Sequence, residues 1–164
     1  NLVYNMLSDT DYAISGAADT LVAVWQGDPS ADRVNVLGNQ LRAWAKCNAG
    51  RVYLYNVITS TTGMPSASAR AALQTQFESM RGQLLGCAIV LEKTGVEGTL
   101  ARAVLTTLIT VTQQPFPMRV FSLRRDALFW LARQGCTAKA SALTGVADTL
   151  CQRLLSQRSS LPSR

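Results

Sequence analysis

The chain contains no histidine. This absence removes the commonest general base, the usual activator of a serine or cysteine nucleophile and the most frequent metal ligand. Its four cysteines, Cys47, Cys87, Cys136 and Cys151, include no C-x-x-C pair, so the short paired spacings of common zinc sites are missing too. No metal and no cofactor are expected. Cys87 opens an apolar run and Cys151 falls in a helical pattern, settings where a small thiol simply packs. Four reduced thiols in a cytoplasmic protein are the expectation. Carboxylates are few: seven aspartates and three glutamates, Glu78, Glu92 and Glu97. Asp9, Asp11 and Asp19 fall in turns or near the start, Glu97 suits a helix cap, and Glu92 adjoins Lys93 at a strand end. Neither G-x-x-x-x-G-K-[ST] nor G-x-G-x-x-G occurs, and Gly95 and Gly98 in "KTGVEG" match a phosphate loop only loosely. Without an activated nucleophile or an acid–base set, the chain reads as non-enzymatic. No apolar run approaches the roughly 18 residues of a membrane span, so none is expected.

What is present is a chain of 164 residues, 48% hydrophobic and 16% charged. That is enough for one domain with a real core and argues against disorder. Charge is uneven. Residues 1–32 hold five aspartates and no base, whereas the remainder holds all sixteen bases. Those bases are dispersed, never more than two together (Arg124-Arg125), and no basic cluster is interleaved with aromatics. No nucleic-acid partner is expected.

Periodicity places the elements. "YAISGAADTLVAVWQG" reads as two strands around a turn near Ala17–Asp19, with Gly27-Asp28-Pro29 ending the second. Asp28 or Ser30 can cap a helix whose face is Val34, Leu37, Leu41 and Trp44. "RVYLYNVI" is a β-rich strand. Ala69, Leu73, Phe77, Met80 and Leu84 mark a second helix, stopping near Gly86, and "CAIVLEK" is a buried strand. Thr94 and Glu97 fit a capping box for a third helix with a wide apolar face (Ala101, Val104, Leu105, Leu108, Val111). "MRVFSL" is a further strand, Asp126 can cap a short helix, and a last helix spans about 138–156 with Leu143, Val146, Leu150 and Leu154 on one side. The order is β-β-α-β-α-β-α-β-α plus a C-terminal helix. It implies an α/β fold: a mostly parallel sheet of about five strands with an N-terminal antiparallel hairpin, flanked by helices. The last helix must either pack across the domain or present its stripe to a second copy, so a homodimer is one expected arrangement.

The phrases "VAVWQGDPSADRV", "VYLYNVI", "CAIVLEKTGVEGTLARAVLTTL" and "PFPMRVFSLRRDALFWL" follow one another as in the SpoIIAA-like branch of the STAS (anti-sigma-factor antagonist) family, which the chain resembles from about Tyr12 to Leu131. On that resemblance, residues 1–11 are an N-terminal extension, 12–135 a STAS-like α/β domain, and 136–164 a C-terminal helix and tail. It implies a small, cytoplasmic, bacterial module that works by binding. The expected role is non-enzymatic, regulatory or protein-interacting, with another protein as partner. The alternative is a carrier or sensor of a lipid-like apolar small molecule held between helices and sheet, as CRAL-TRIO-like fold relatives suggest.

The candidate ligand or partner surface is Trp25, Thr59, Ser60, Thr61, Thr62, Gly63 and Arg102. Trp25 ends a strand and reads either as core or as the border of a pocket. In phosphorylatable relatives, an Asp-Ser-Ser-Gly-like phrase follows the central strand and opens a helix, where backbone N–H groups tolerate a phosphate. Ser60-Thr61-Thr62-Gly63 occupies the corresponding region but lacks the preceding Asp, and Pro65 delays the helix. The stretch therefore reads first as a polar connector, with Ser66 or Ser68 as the cap. Arg102 lies in an otherwise apolar helix, either as part of a solvated stripe or as a contact for an acidic partner or lipid headgroup.

Overall fold

The computed structural model describes residues 7–60, 65–111 and 113–160. Six strands form one sheet in chain order: β1 (Leu7–Ser8), β2 (Tyr12–Ala17), β3 (Thr20–Gln26), β4 (Val52–Ser60), β5 (Leu84–Leu91) and β6 (Met118–Phe121). β1, β2 and β3 pair antiparallel, and β3 to β6 pair parallel. The expected hairpin and parallel sheet are both present, with the two-residue β1 as an added edge. Helices α1 (Ala31–Cys47), α2 (Ala67–Ser79) and α3 (Gly95–Val111) are the crossovers. They follow strands that step in one direction along the sheet, and crossovers of one hand stepping one way all land on the same face. The opposite face would be bare without α4 (Arg124–Arg133) and α5 (Ala140–Ser159), which pack back over it.

Strand alternation divides the core in two. Leu21, Ala23 and Trp25 of β3, with Leu54 of β4 and Cys87 and Ile89 of β5, face α1 and α2. Val22, Val24, Tyr53, Tyr55, Val57, Ala88 and Val90 face α4 and α5. On that second face Leu143, Ala147, Leu150 and Leu154 of α5 are buried against the chain's own sheet, so the stripe packs across the domain. Val146 is only partly buried, and Ala147 takes its place in the core.

Polar clamps fasten the same two helices. Asp19, in the β2–β3 turn, accepts from the backbone N–H groups of Thr137 (2.9 Å) and Ala138 (3.2 Å) just before α5. Arg124 joins Glu92, just after β5, to Asp148 of α5. Arg158 reaches Asp11 and the Gln26 carbonyl.

Several expected boundaries move. Ser30 and Ser66 are the caps of α1 and α2, accepting from Arg33 N and Ala69 N. The second helix ends at Ser79 rather than near Gly86, because Gly82, at φ +78°, turns the chain and Leu84 already belongs to β5. Met80 and Leu84 share the helical stripe's spacing but enter the core from a cap and a strand. Asp126 is not a cap: α4 begins two residues earlier, after Leu123, and Asp126 sits in its first turn, where a negative charge still suits the dipole.

Candidate functional site

The face carrying α1, α2 and α3 is not filled. A cavity of about 760 Å³ lies between the sheet and these helices. Its floor is sheet: Trp25, Asn56, Ile58, Ile89, Leu91 and Met118. Its walls are Val34 and Leu37 of α1, Leu73 and Phe77 of α2, and Ala101, Val104, Leu105 and Ile109 of α3. The polar groups among the lining are few and include Arg70, Gln74, Lys93 and Glu97. A mostly apolar, partly open cavity of this size, with a handful of polar groups, is what a small-molecule site looks like.

The cavity exists because α3 stands off the sheet. Nine of its seventeen residues are apolar, yet no described side chain on it is buried, and Gly98 alone reaches that class. Its first turn is held closely. A Cβ on Gly98 would collide with the Lys93 carbonyl, so only glycine permits this approach. Arg102 donates to the carbonyls of Lys93 (2.9 Å) and Leu91 (3.3 Å) and to Thr99 Oγ1. Glu97 pairs with Lys93 at 2.8 Å, and the Lys93 hydrogen bond and charge hold its carboxyl below the usual range. Beyond this anchored turn Ala101, Val104, Leu105 and Ile109 are only half-buried and line the cavity, with Ile109 also packed against the core.

The residues singled out from sequence separate. Trp25 is buried at 3% exposure, stacks on Tyr12 with ring centroids 5.4 Å apart, and forms part of the cavity floor. Thr59 and Ser60 extend β4 two residues past the expected end; Thr59 Oγ1 donates to the Trp25 carbonyl at 2.9 Å. Both residues border a second cavity of about 400 Å³ on the α5 side, with Gln26, Glu92, Arg124 and Arg158. The charges there are mutually compensated, since Arg124 bonds Glu92 and Asp148 and Arg158 bonds Asp11. Thr61, Thr62 and Gly63 lie outside the described residues. Arg102 is not part of the cavity lining; it ties α3 to the end of β5.

Sequence reading missed Asn56. It sits in the middle of β4, between Leu54 and Ile58 on the cavity face, and lies opposite Ala23 on β3 and Ile89 on β5. The signal was there in "VYLYNVI": one amide in an otherwise apolar strand core. Trp25 Nε1 donates to Asn56 Oδ1.

The four cysteines are far apart in setting. Cys47 is exposed at the end of α1, Cys87 is buried in β5, and Cys136 and Cys151 are half-buried near α5. Burial pushes the thiols of Cys87, Cys136 and Cys151 above their ordinary pKa. Among the described residues no cluster of His, Cys, Asp and Glu has the arrangement of a metal site, and no helix is long and apolar enough to cross a membrane.

Compared with known proteins, the sequence matches no family model and no curated protein. Its fold is matched by the crystal structure of an uncharacterized protein of the DUF3478 family with a SpoIIAA-like fold from Shewanella loihica PV-4. The TM-score is 0.51 at 18% identity, covering 80% of this chain and 97% of that one. The chain thus has a SpoIIAA-like fold.

Proposed function

We propose that this chain is a non-enzymatic binding module of STAS type that takes up an apolar, lipid-like small molecule between its sheet and α3. The observation that carries this reading is the cavity of about 760 Å³ beneath a helix rich in apolar residues, none of whose described side chains is buried. An apolar helix in water gains by covering its face, and the cover over the apolar residues of α3 is incomplete. A ligand in that space would supply the contacts the chain itself does not. Among the described lining residues there is no serine, threonine or cysteine nucleophile for the Lys93–Glu97 pair to activate, which favours storage, transport or sensing over turnover.

A regulatory, protein-interacting role is the second reading, and one observation favours it. Val96 and Leu100, one helical turn apart on α3, are 86% and 64% exposed, an apolar pair displayed by the helix that would respond to the cavity's contents. Filling the cavity would favour one position of α3 and so present this pair to another protein in a ligand-dependent way.

The test is native mass spectrometry of protein purified without detergent, followed by organic extraction. The expected result is an apolar compound retained by the wild type and largely lost from Ala101→Phe, whose ring narrows the cavity. An apo mass for the wild type, together with no uptake of apolar probes, would contradict the proposal.

A further inference from the structure

The cavity floor carries one group whose orientation is fixed by chemistry. Trp25 Nε1 can only donate, and its acceptor, at 2.5 Å, is Asn56 Oδ1. The amide cannot be turned around without setting the indole N–H against an NH₂, so the oxygen must face Trp25 and the nitrogen must face away. Trp25 is held in place by burial and by its stack on Tyr12. Asn56 Nδ2 has no acceptor among the described residues, and the residue lines the cavity between Leu54 and Ile58. Two donor hydrogens therefore stand at a mostly apolar floor, half-buried and without an acceptor among the described residues.

We infer that Asn56 is the specificity-determining residue of the cavity and that the ligand is an oxygenated apolar molecule. Its ketone, ester or hydroxyl oxygen accepts from Asn56 Nδ2 while its hydrocarbon lies against Leu73, Leu105 and Ile109. A plain hydrocarbon of the same shape leaves the amide without its partner. Trp25 acts as a positioning residue, through the amide rather than on the ligand's oxygen. This inference rests on the small-molecule reading above and adds to it the chemical class of the ligand.

The experiment compares heptanophenone with heptylbenzene, which share a skeleton and differ by a carbonyl in place of a methylene. Equilibrium dialysis gives the affinity of each for the wild type, for Trp25→Phe, and for the double variant Trp25→Phe/Asn56→Leu. The double variant removes donor and acceptor together, so no polar group is orphaned, and a circular dichroism melt checks that each variant is folded. The expected result is that both probes bind the wild type. The ratio of ketone to hydrocarbon affinity then falls about tenfold in the double variant, on top of whatever change the reshaped floor imposes on both probes alike. Trp25→Phe alone, which frees the amide to turn, lowers the ratio by a smaller factor. Binding of both probes with an unchanged ratio would overturn the role of Asn56 and leave the cavity reading intact, the amide then serving only Trp25. No binding of either probe to the wild type would overturn the cavity reading and this inference with it.

Discussion

Helices α3 and α5 lie on opposite faces of one sheet and have been given opposite fates. α5 is the more polar, with serines, threonines and two arginines, yet it buries Leu143, Ala147, Leu150 and Leu154 completely. α3 is the more apolar, yet no described side chain on it is buried. Three polar clamps fasten α4 and α5: Asp19 to the loop before α5, Arg124 to Glu92 and Asp148, and Arg158 to Asp11. α3 is held at its first turn by Arg102 and by the close approach at Gly98, and near its far end only by the half-buried Ile109 against the core. Apolar composition alone does not make a core. A helix contributes to folding where its stripe meets packed side chains; where it meets space, the same residues are available to a ligand.

The largest break in this comparison comes from removing α5. Truncation after Gly135 strips the cover that α5 gives β2 and β3, Val22 and Val24 included. The shortened chain is expected to aggregate, or to lose its cooperative thermal transition by circular dichroism. Each buried leucine on α5 is worth roughly 1.5–3 kcal/mol of transfer free energy before ordering costs, a large share of a typical domain's stability. A soluble truncated protein with an unchanged melting temperature would show the sealed face to be dispensable.

Single leucines sharpen the contrast. Leu150→Ala on α5 is expected to cost about 2–5 kcal/mol in urea unfolding. Leu105→Ala on α3, which removes atoms already facing empty space, is expected to cost less than about 1 kcal/mol in the ligand-free protein. Equal losses at the two sites would mean that α3 is packed like α5.

The clamp at Asp19 comes next. Asp19→Ala leaves two backbone N–H groups without their carboxylate, and a loss of about 1–2 kcal/mol is expected, since the site is partly exposed to water. Asp19→Glu moves the acceptor by one methylene and should recover little of it. An unaffected midpoint for the alanine variant would make the clamp incidental.

The smallest effect concerns Tyr55. Its hydroxyl is buried on the sealed face with no hydrogen-bond partner among the described residues, and burial pushes its pKa far up. Tyr55→Phe removes only that unpartnered oxygen, so stability should hold or rise by up to about 1 kcal/mol. A clear loss would mean that the hydroxyl is satisfied in solution, by water for instance.

Much of the fold was legible because its information is local. The alternation in "TLVAVWQ" separates the two faces of β3, and the spacing of Val34, Leu37, Leu41 and Trp44 defines the buried side of α1. Errors came where one spacing serves two structures. Met80 and Leu84 continue the period of α2 but lie beyond the Gly82 turn, and Asp126 looks like a cap until Leu123 is seen to precede the helix. The cavity was not legible, because an apolar stripe reads the same whether it meets side chains or space. Trp25 was singled out as a strand-end aromatic, but its meaning depends on Asn56, thirty-one residues away in the chain and a hydrogen bond away in the fold. Arg102 attracted notice as a charge in an apolar helix; it is occupied by the carbonyls that end β5.

Hydrogen exchange followed by mass spectrometry measures the two helices side by side in one sample. Without ligand, the amides of α3 beyond its anchored first turn should exchange much faster than those of α5. Saturating heptanophenone should slow α3 selectively and leave α5 unchanged, because only α3 gains contacts from a filled cavity. An α3 already as protected as α5 in the ligand-free protein, and indifferent to the ketone, would contradict the account of this face as a binding site.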